Sequence, residues 1–107
     1  MECISWQANS ANRLSVAVFD YKTADPITDA LVAVTIYDQH GEELPGLSWP
    51  QSLTVPGDAT ADEAHIYTNV FPSTLEIEKG GVYTATITVT SSLGVHVSDR
   101  LIRGVNR

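Results

Sequence analysis

A chain of 107 residues has room for one hydrophobic core and no second one, since folding at this length buries roughly two-thirds of the extended chain's surface. Hydrophobic residues make up 43% and charged residues 18%, a balance too apolar for intrinsic disorder. Six Lys and Arg against 13 Asp and Glu leave a formal charge of −7, which repels phosphate backbones and argues against nucleic acid as a partner.

From the N-terminus, Met1-Glu2-Cys3 runs into the polar stretch Gln7 to Asn12, where a secretory signal would have a basic start and an apolar run of roughly 7–15 residues. No window reaches the ~18 apolar residues of a membrane-spanning helix. The expectation is a protein made in a reducing cytoplasm, with no export signal and no membrane partner. Cys3 is the single cysteine, so no intrachain disulfide can form. Residues 1–12 read as an N-terminal arm or a short edge strand. Within them, Trp6 either packs on its own domain or reaches a neighbouring subunit, tryptophan being enriched among interface anchors.

Helical periodicity is nowhere sustained, whereas period-2 alternation of β-branched residues recurs between Gly, Pro and Asp clusters. Leu14, Val16 and Val18 mark a first strand ending at Asp20, and Val32, Val34 and Ile36 a second ending at Asp38. Between them Asp25-Pro26 predicts a loop or an edge crossing, because proline donates no ladder hydrogen bond. Gln39-His40-Gly41-Glu42 is turn chemistry. Leu44 to Val55, with Pro45, Gly46, Trp49 and Pro50, predicts short strands broken by bends, and Pro56 to Glu63 a polar loop. His65 to Val70 alternates as a further strand, and a crossing leads from Phe71-Pro72 through Leu75 and Ile77 to Lys79-Gly80-Gly81. Val82 to Ser91 is the clearest strand: Tyr83, Ala85, Ile87 and Val89 form a core face, opposite a threonine ladder that faces water or a partner. The Ser91-Ser92-Leu93-Gly94 turn closes a hairpin onto a last strand from about Val95 to Val105. Residues 13–105 therefore form one all-β domain of six or seven short strands, the number a two-sheet sandwich needs.

Charge is uneven along this order. Residues 1–99 hold every acidic group and only Arg13, Lys22 and Lys79, whereas Arg100, Arg103 and Arg107 crowd the last eight residues, with 106–107 as a basic C-terminal end. That tail is either a solvated terminus or a docking element.

The segment Ile77-Glu78-Lys79-Gly80-Gly81-Val82-Tyr83-Thr84-Ala85 resembles the crossing into the penultimate strand of immunoglobulin and fibronectin type III domains. In those, an apolar residue stands six positions before a tyrosine with a glycine between, here Ile77, Gly80 and Tyr83. The resemblance implies a tyrosine corner, the Tyr83 hydroxyl bonding back to the upstream backbone. Ala85 stands where a disulfide-bearing domain would have its second cysteine, which removes antibody-type domains. Asp20 through Pro26-Ile27-Thr28-Asp29-Ala30-Leu31-Val32-Ala33-Val34-Thr35-Ile36-Tyr37-Asp38-Gln39-His40-Gly41 looks like the opening hairpin of bacterial Ig-like modules and of small phage structural proteins. Together the two matches cover about half the chain. They imply a single immunoglobulin-like β-sandwich of about seven strands, a fold that hosts many unrelated functions.

Chemistry-bearing groups are scattered. His40, His65 and His96 lie far apart with no metal-ligand spacing, and Asp58, Asp62, Glu63 and His65 lack the order of a calcium loop, so a solvated acidic loop is the simpler reading. Glu76 and Glu78 would share a water-facing strand face, and no nucleophile elbow or phosphate loop is present. The expectation is a protein without enzymatic activity, cofactor or metal, acting through contacts with other protein subunits, copies of itself included. A phage virion component such as a head–tail connector, tail or capsid-accessory subunit fits, with Trp6, Arg100, Arg103 and Arg107 at the interfaces. A cell-surface module binding a glycan or protein through its loops is the alternative.

Overall fold

The structure, a computed structural model, describes residues 3–105 apart from Asn9, Tyr21, Glu76 and Leu93. The chain alternates apolar and polar residues in short runs, and each run becomes a strand with one buried face. In chain order these are β1 (Cys3–Gln7), β2 (Asn12–Ala17), β3 (Leu31–Tyr37), β4 (Gln51–Leu53), β5 (Ile66–Phe71), β6 (Val82–Ser91) and β7 (Gly94–Val105). A 3₁₀ turn at Ala61–Glu63 is the only helical element among the described residues. Five strands form a curled sheet in the order β1-β7-β6-β3-β4, and β2 pairs with β5 in a separate two-stranded sheet.

The core lies between the two sheets. Leu14, Val16 and Val18 on one side and Val32, Val34, Ile36, Ala85, Ile87 and Ile102 on the other are buried, with Tyr67 and Phe71 completing the layer. Each fully buried branched side chain here contributes about 1.5–3 kcal/mol relative to exposure. β6 realises the expected two faces over the expected residues: Tyr83, Ala85 and Ile87 are inside, and Thr84, Thr86, Thr88 and Thr90 are outside. Its hairpin with β7 closes at Ser91 opposite Gly94.

Two expectations shift. The first strand's regular pairing ends at Ala17 and not at Asp20: Val18 still donates to the His65 carbonyl in the same register, but its carbonyl accepts from Ile27 and Phe19 bridges Pro26, so the chain changes partner there. The segment around Pro26 is thereby stitched to the sheet edge. Glu78 sits in the crossing before β6 and not on a strand, and Glu76 lies outside the described residues.

Trp6 is resolved by the topology. β1 runs parallel to the second half of β7, with Trp6 opposite Gly104, and this turns the indole inward to 2% exposure, 5.3 Å from the Phe71 ring. The reading of Trp6 as an interface anchor is corrected: its apolar area is already spent on its own core. Gly104 is required nearby, since a Cβ there would run into the Glu78 carbonyl.

Candidate interaction surface

The two sheets do not match in width, and that mismatch shapes the surface. Two strands cover the inner face of five, so the hairpin end of β6 and β7 projects past the two-stranded sheet. On the outer face, alternation and register bring Leu31, Thr90 and Val95 into one row and Ala33, Thr88 and Val97 into the next. Leu31 is 75% exposed, Val95 67% and Val97 57%. Three large aliphatic residues on a threonine-rich face, this open to water, form an apolar patch of the kind that marks contact surfaces. Lower on the same face Asp99 accepts a hydrogen bond from the Thr86 hydroxyl at 2.8 Å, which fixes its carboxylate against the sheet.

Below the hairpin, on the inner side, lies a groove of about 400 Å³ between the Val18–Asp20 stretch and β7, with Val16, Phe19, Ile27 and Val89 as its apolar walls and His96 and Arg100 at its polar side. The Phe19 ring stands 4.7 Å from that of His65. A second, shallow and polar hollow of about 670 Å³ lies on the outer face of the two-stranded sheet, where Arg13, Ser15, Thr68 and Asn69 face the Asp58 and Glu63 loop.

The three arginines do not act as a set. Arg103 is exposed on the outer face, opposite Val82. Arg100 has the opposite parity on β7, points to the inner side, is half-buried and is already engaged within the domain. Arg100 and Arg103 therefore present to opposite faces of the sheet, and Arg107 lies outside the described residues. Tyr83 is buried, and its hydroxyl accepts the Glu78 N–H at 2.8 Å. Gly80 takes a φ of 80° and donates its N–H to Gly104, while Ile77 and Ala85 belong to the core.

Charged turns are organised by backbone bonds. The Asp38 carboxylate accepts the Glu42 N–H at 3.1 Å and the His40 N–H at 2.8 Å. The Glu42 bond first, then His40, holds its pKa below the ordinary carboxylate value. Asp58, Asp62 and Glu63 are exposed around the 3₁₀ turn, His40 and His96 are exposed on different elements, and no three His, Cys, Asp or Glu side chains converge among the described residues.

Sequence reasoning passed over Leu31, Val95 and Val97. A signal existed in parity: Val95 and Val97 are out of phase with Ile102, so they and it cannot share a face of one strand. No protein-family model and no curated protein matches this chain.

Proposed function

We propose that this chain is a non-enzymatic structural subunit, of the kind found in phage virions, and that it works through protein–protein contacts that include copies of itself. The observation that carries the reading is the exposed aliphatic patch of Leu31, Val95 and Val97 on a hydrogen-bonded sheet. A monomer gains nothing by holding these side chains in water, whereas a repeated subunit covers them on assembly. The anionic body keeps free subunits apart until such a contact forms. An immunoglobulin-like assignment is supported by the hydroxyl of Tyr83 reaching back to Glu78 and by the apposition of β1-β7-β6-β3-β4 and β2-β5.

The test is co-expression with the genes that flank this one, followed by purification of any particles and quantitative mass spectrometry. Presence at a ring- or shell-like copy number supports the reading, and absence from the particles sinks it. The alternative, a module that binds a glycan or protein through its loops, draws on the polar hollow of Arg13, Ser15 and Asn69 beneath the Asp58 loop. Binding of the isolated chain on a glycan array, abolished by Arg13→Ala, would favour it.

A further inference from the structure

We infer that the free edge of β7 pairs with the same edge of a second copy, antiparallel and centred on Val97. This rests on the subunit reading above and adds to the exposed aliphatic face a second contact, at the sheet edge, with a copy of the same chain as its partner. β7 has twelve residues, and among the described residues β1 lies along its edge from Leu101 to Val105.

The hairpin dictates which backbone groups the uncovered part displays. Its connection is two residues, Ser92-Leu93, and the closing residues of such a hairpin exchange both hydrogen bonds, here Ser91 with Gly94. The register is unbroken down to Val82 opposite Arg103, so even-numbered residues of β7 bond toward β6 and odd-numbered residues point away. The far end of the strand agrees. Gly104 bonds to Gly80 and Gly81 on the β6 side, whereas the Val105 carbonyl accepts the Ala8 N–H on the β1 side. Val95, Val97 and Asp99 therefore turn their N–H and C=O groups away from β6, toward an edge with no strand beside it among the described residues.

Sheet edges of this kind are commonly blunted by Lys, Pro, a bulge or a covering segment. Residues 94–99, Gly-Val-His-Val-Ser-Asp, contain neither Lys nor Pro, and the register contains no bulge. A two-fold axis through Val97 sets it opposite the partner's Val97 and sets Val95 opposite the partner's Asp99, so all six groups are satisfied at once. Moving the axis to His96 leaves Asp99 without a pairing residue, and moving it to Ser98 leaves Val95 without one. In the Val97 register His96 faces the partner's Ser98 and Arg100 faces the partner's Gly94, so no like charges stand directly opposite. The edge is ~20 Å long. Phe19 and the groove walls lie beside it and extend the contact beyond the strand edge.

The test is mass-resolved size-exclusion chromatography at ~100 μM, where an interface of 10 μM affinity is mostly formed, with amide exchange as a second readout. The expected result is a dimer whose Val95, Val97 and Asp99 amides become protected as concentration rises. Val97→Pro deletes an outward N–H that β6 does not use, and Val97→Lys places a charge on the edge. Each is expected to weaken dimerisation more than about tenfold while circular dichroism stays that of the wild type. Val97→Lys serves as the probe should the proline variant fail to fold. Leu31→Ser, on the outer face but away from the edge, is expected to leave the dimer intact. A wild-type monomer at that concentration, a dimer unaffected by Val97→Lys, or a dimer broken by Leu31→Ser and not by Val97→Lys would overturn the inference. Virion incorporation of the monomeric Val97→Lys chain would leave the subunit reading standing and remove self-pairing from it, whereas a wild-type dimer absent from particles would do the reverse.

Discussion

The five-stranded sheet has two unlike ends. At one, β1 lies along β7, Trp6 fills the core, the Tyr83 hydroxyl holds Glu78, Gly104 is bonded to Gly80 and Gly81, and Asp38 gathers the turn after β3. At the other, the β6–β7 hairpin carries Val95, Val97 and the neighbouring Leu31 into water, and its outer edge has no strand beside it among the described residues. Both ends are built from the same alternation of β-branched and polar residues. The difference teaches that alternation specifies a strand and its two faces, while cover for a face or an edge comes from elsewhere in the chain or from another molecule.

If the closed end supplies the stability, removing its anchor does the most damage. Trp6→Ala is expected to cost ~3–5 kcal/mol, measured by chemical denaturation, because the cavity opens beside Phe71 where neighbouring strands cannot collapse. Trp6→Phe keeps the ring contact and loses an indole N–H that is buried without an acceptor, so it is expected to lose far less. Equal losses for the two variants would show that shape, and not apolar volume, is what β1 contributes.

Tyr83→Phe tests the next layer. It retains the buried ring and strands the Glu78 N–H, an expected loss of about 1–2 kcal/mol in the same assay. An unchanged midpoint would mean that water takes over the Glu78 N–H and that the corner does not hold the closed end.

The Asp38 turn sharpens the comparison through pH. The folded state holds the Asp38 pKa below its ordinary value, so its contribution is complete above about pH 4, the unfolded value, and is lost as pH falls through the lower folded value. The unfolding temperatures of wild type and Asp38→Ala are expected to differ near neutrality and to converge as pH is lowered below that point. A gap that widens in acid would reverse the sign and remove the Glu42 and His40 bonds as its cause.

How much of this was legible depended on whether the informative pattern was local. β6 was readable to the residue because Val82 to Ser91 alternates without interruption, and the hairpin followed from the two-residue Ser92-Leu93 connection. The Tyr83 hydrogen bond was readable because its partner is five residues away. The place of Trp6 was not readable, since burial there depends on a parallel pairing with residues almost a hundred positions later, which leaves no local trace. Nor did clustering in sequence make Arg100 and Arg103 a unit: an odd spacing along a strand sends them to opposite faces. The width of the two-stranded sheet was equally hidden, and it is this width that leaves the groove and the hairpin uncovered.

The smallest expected effect is the most informative about the open end. Replacing Val95 and Val97 together by Thr keeps β-branching, so strand propensity is preserved, and exchanges two exposed methyls for hydroxyls beside Thr88 and Thr90. If these side chains contribute nothing to the isolated fold, the denaturation midpoint of the monomer at low concentration stays within about 0.5 kcal/mol of wild type. The same variant keeps every outward backbone group of the edge, so it separates what the valine side chains do from what the strand does. A loss of stability comparable to that of Tyr83→Phe would mean that the hairpin end is packed in solution against its own domain, and the contrast between the two ends would disappear.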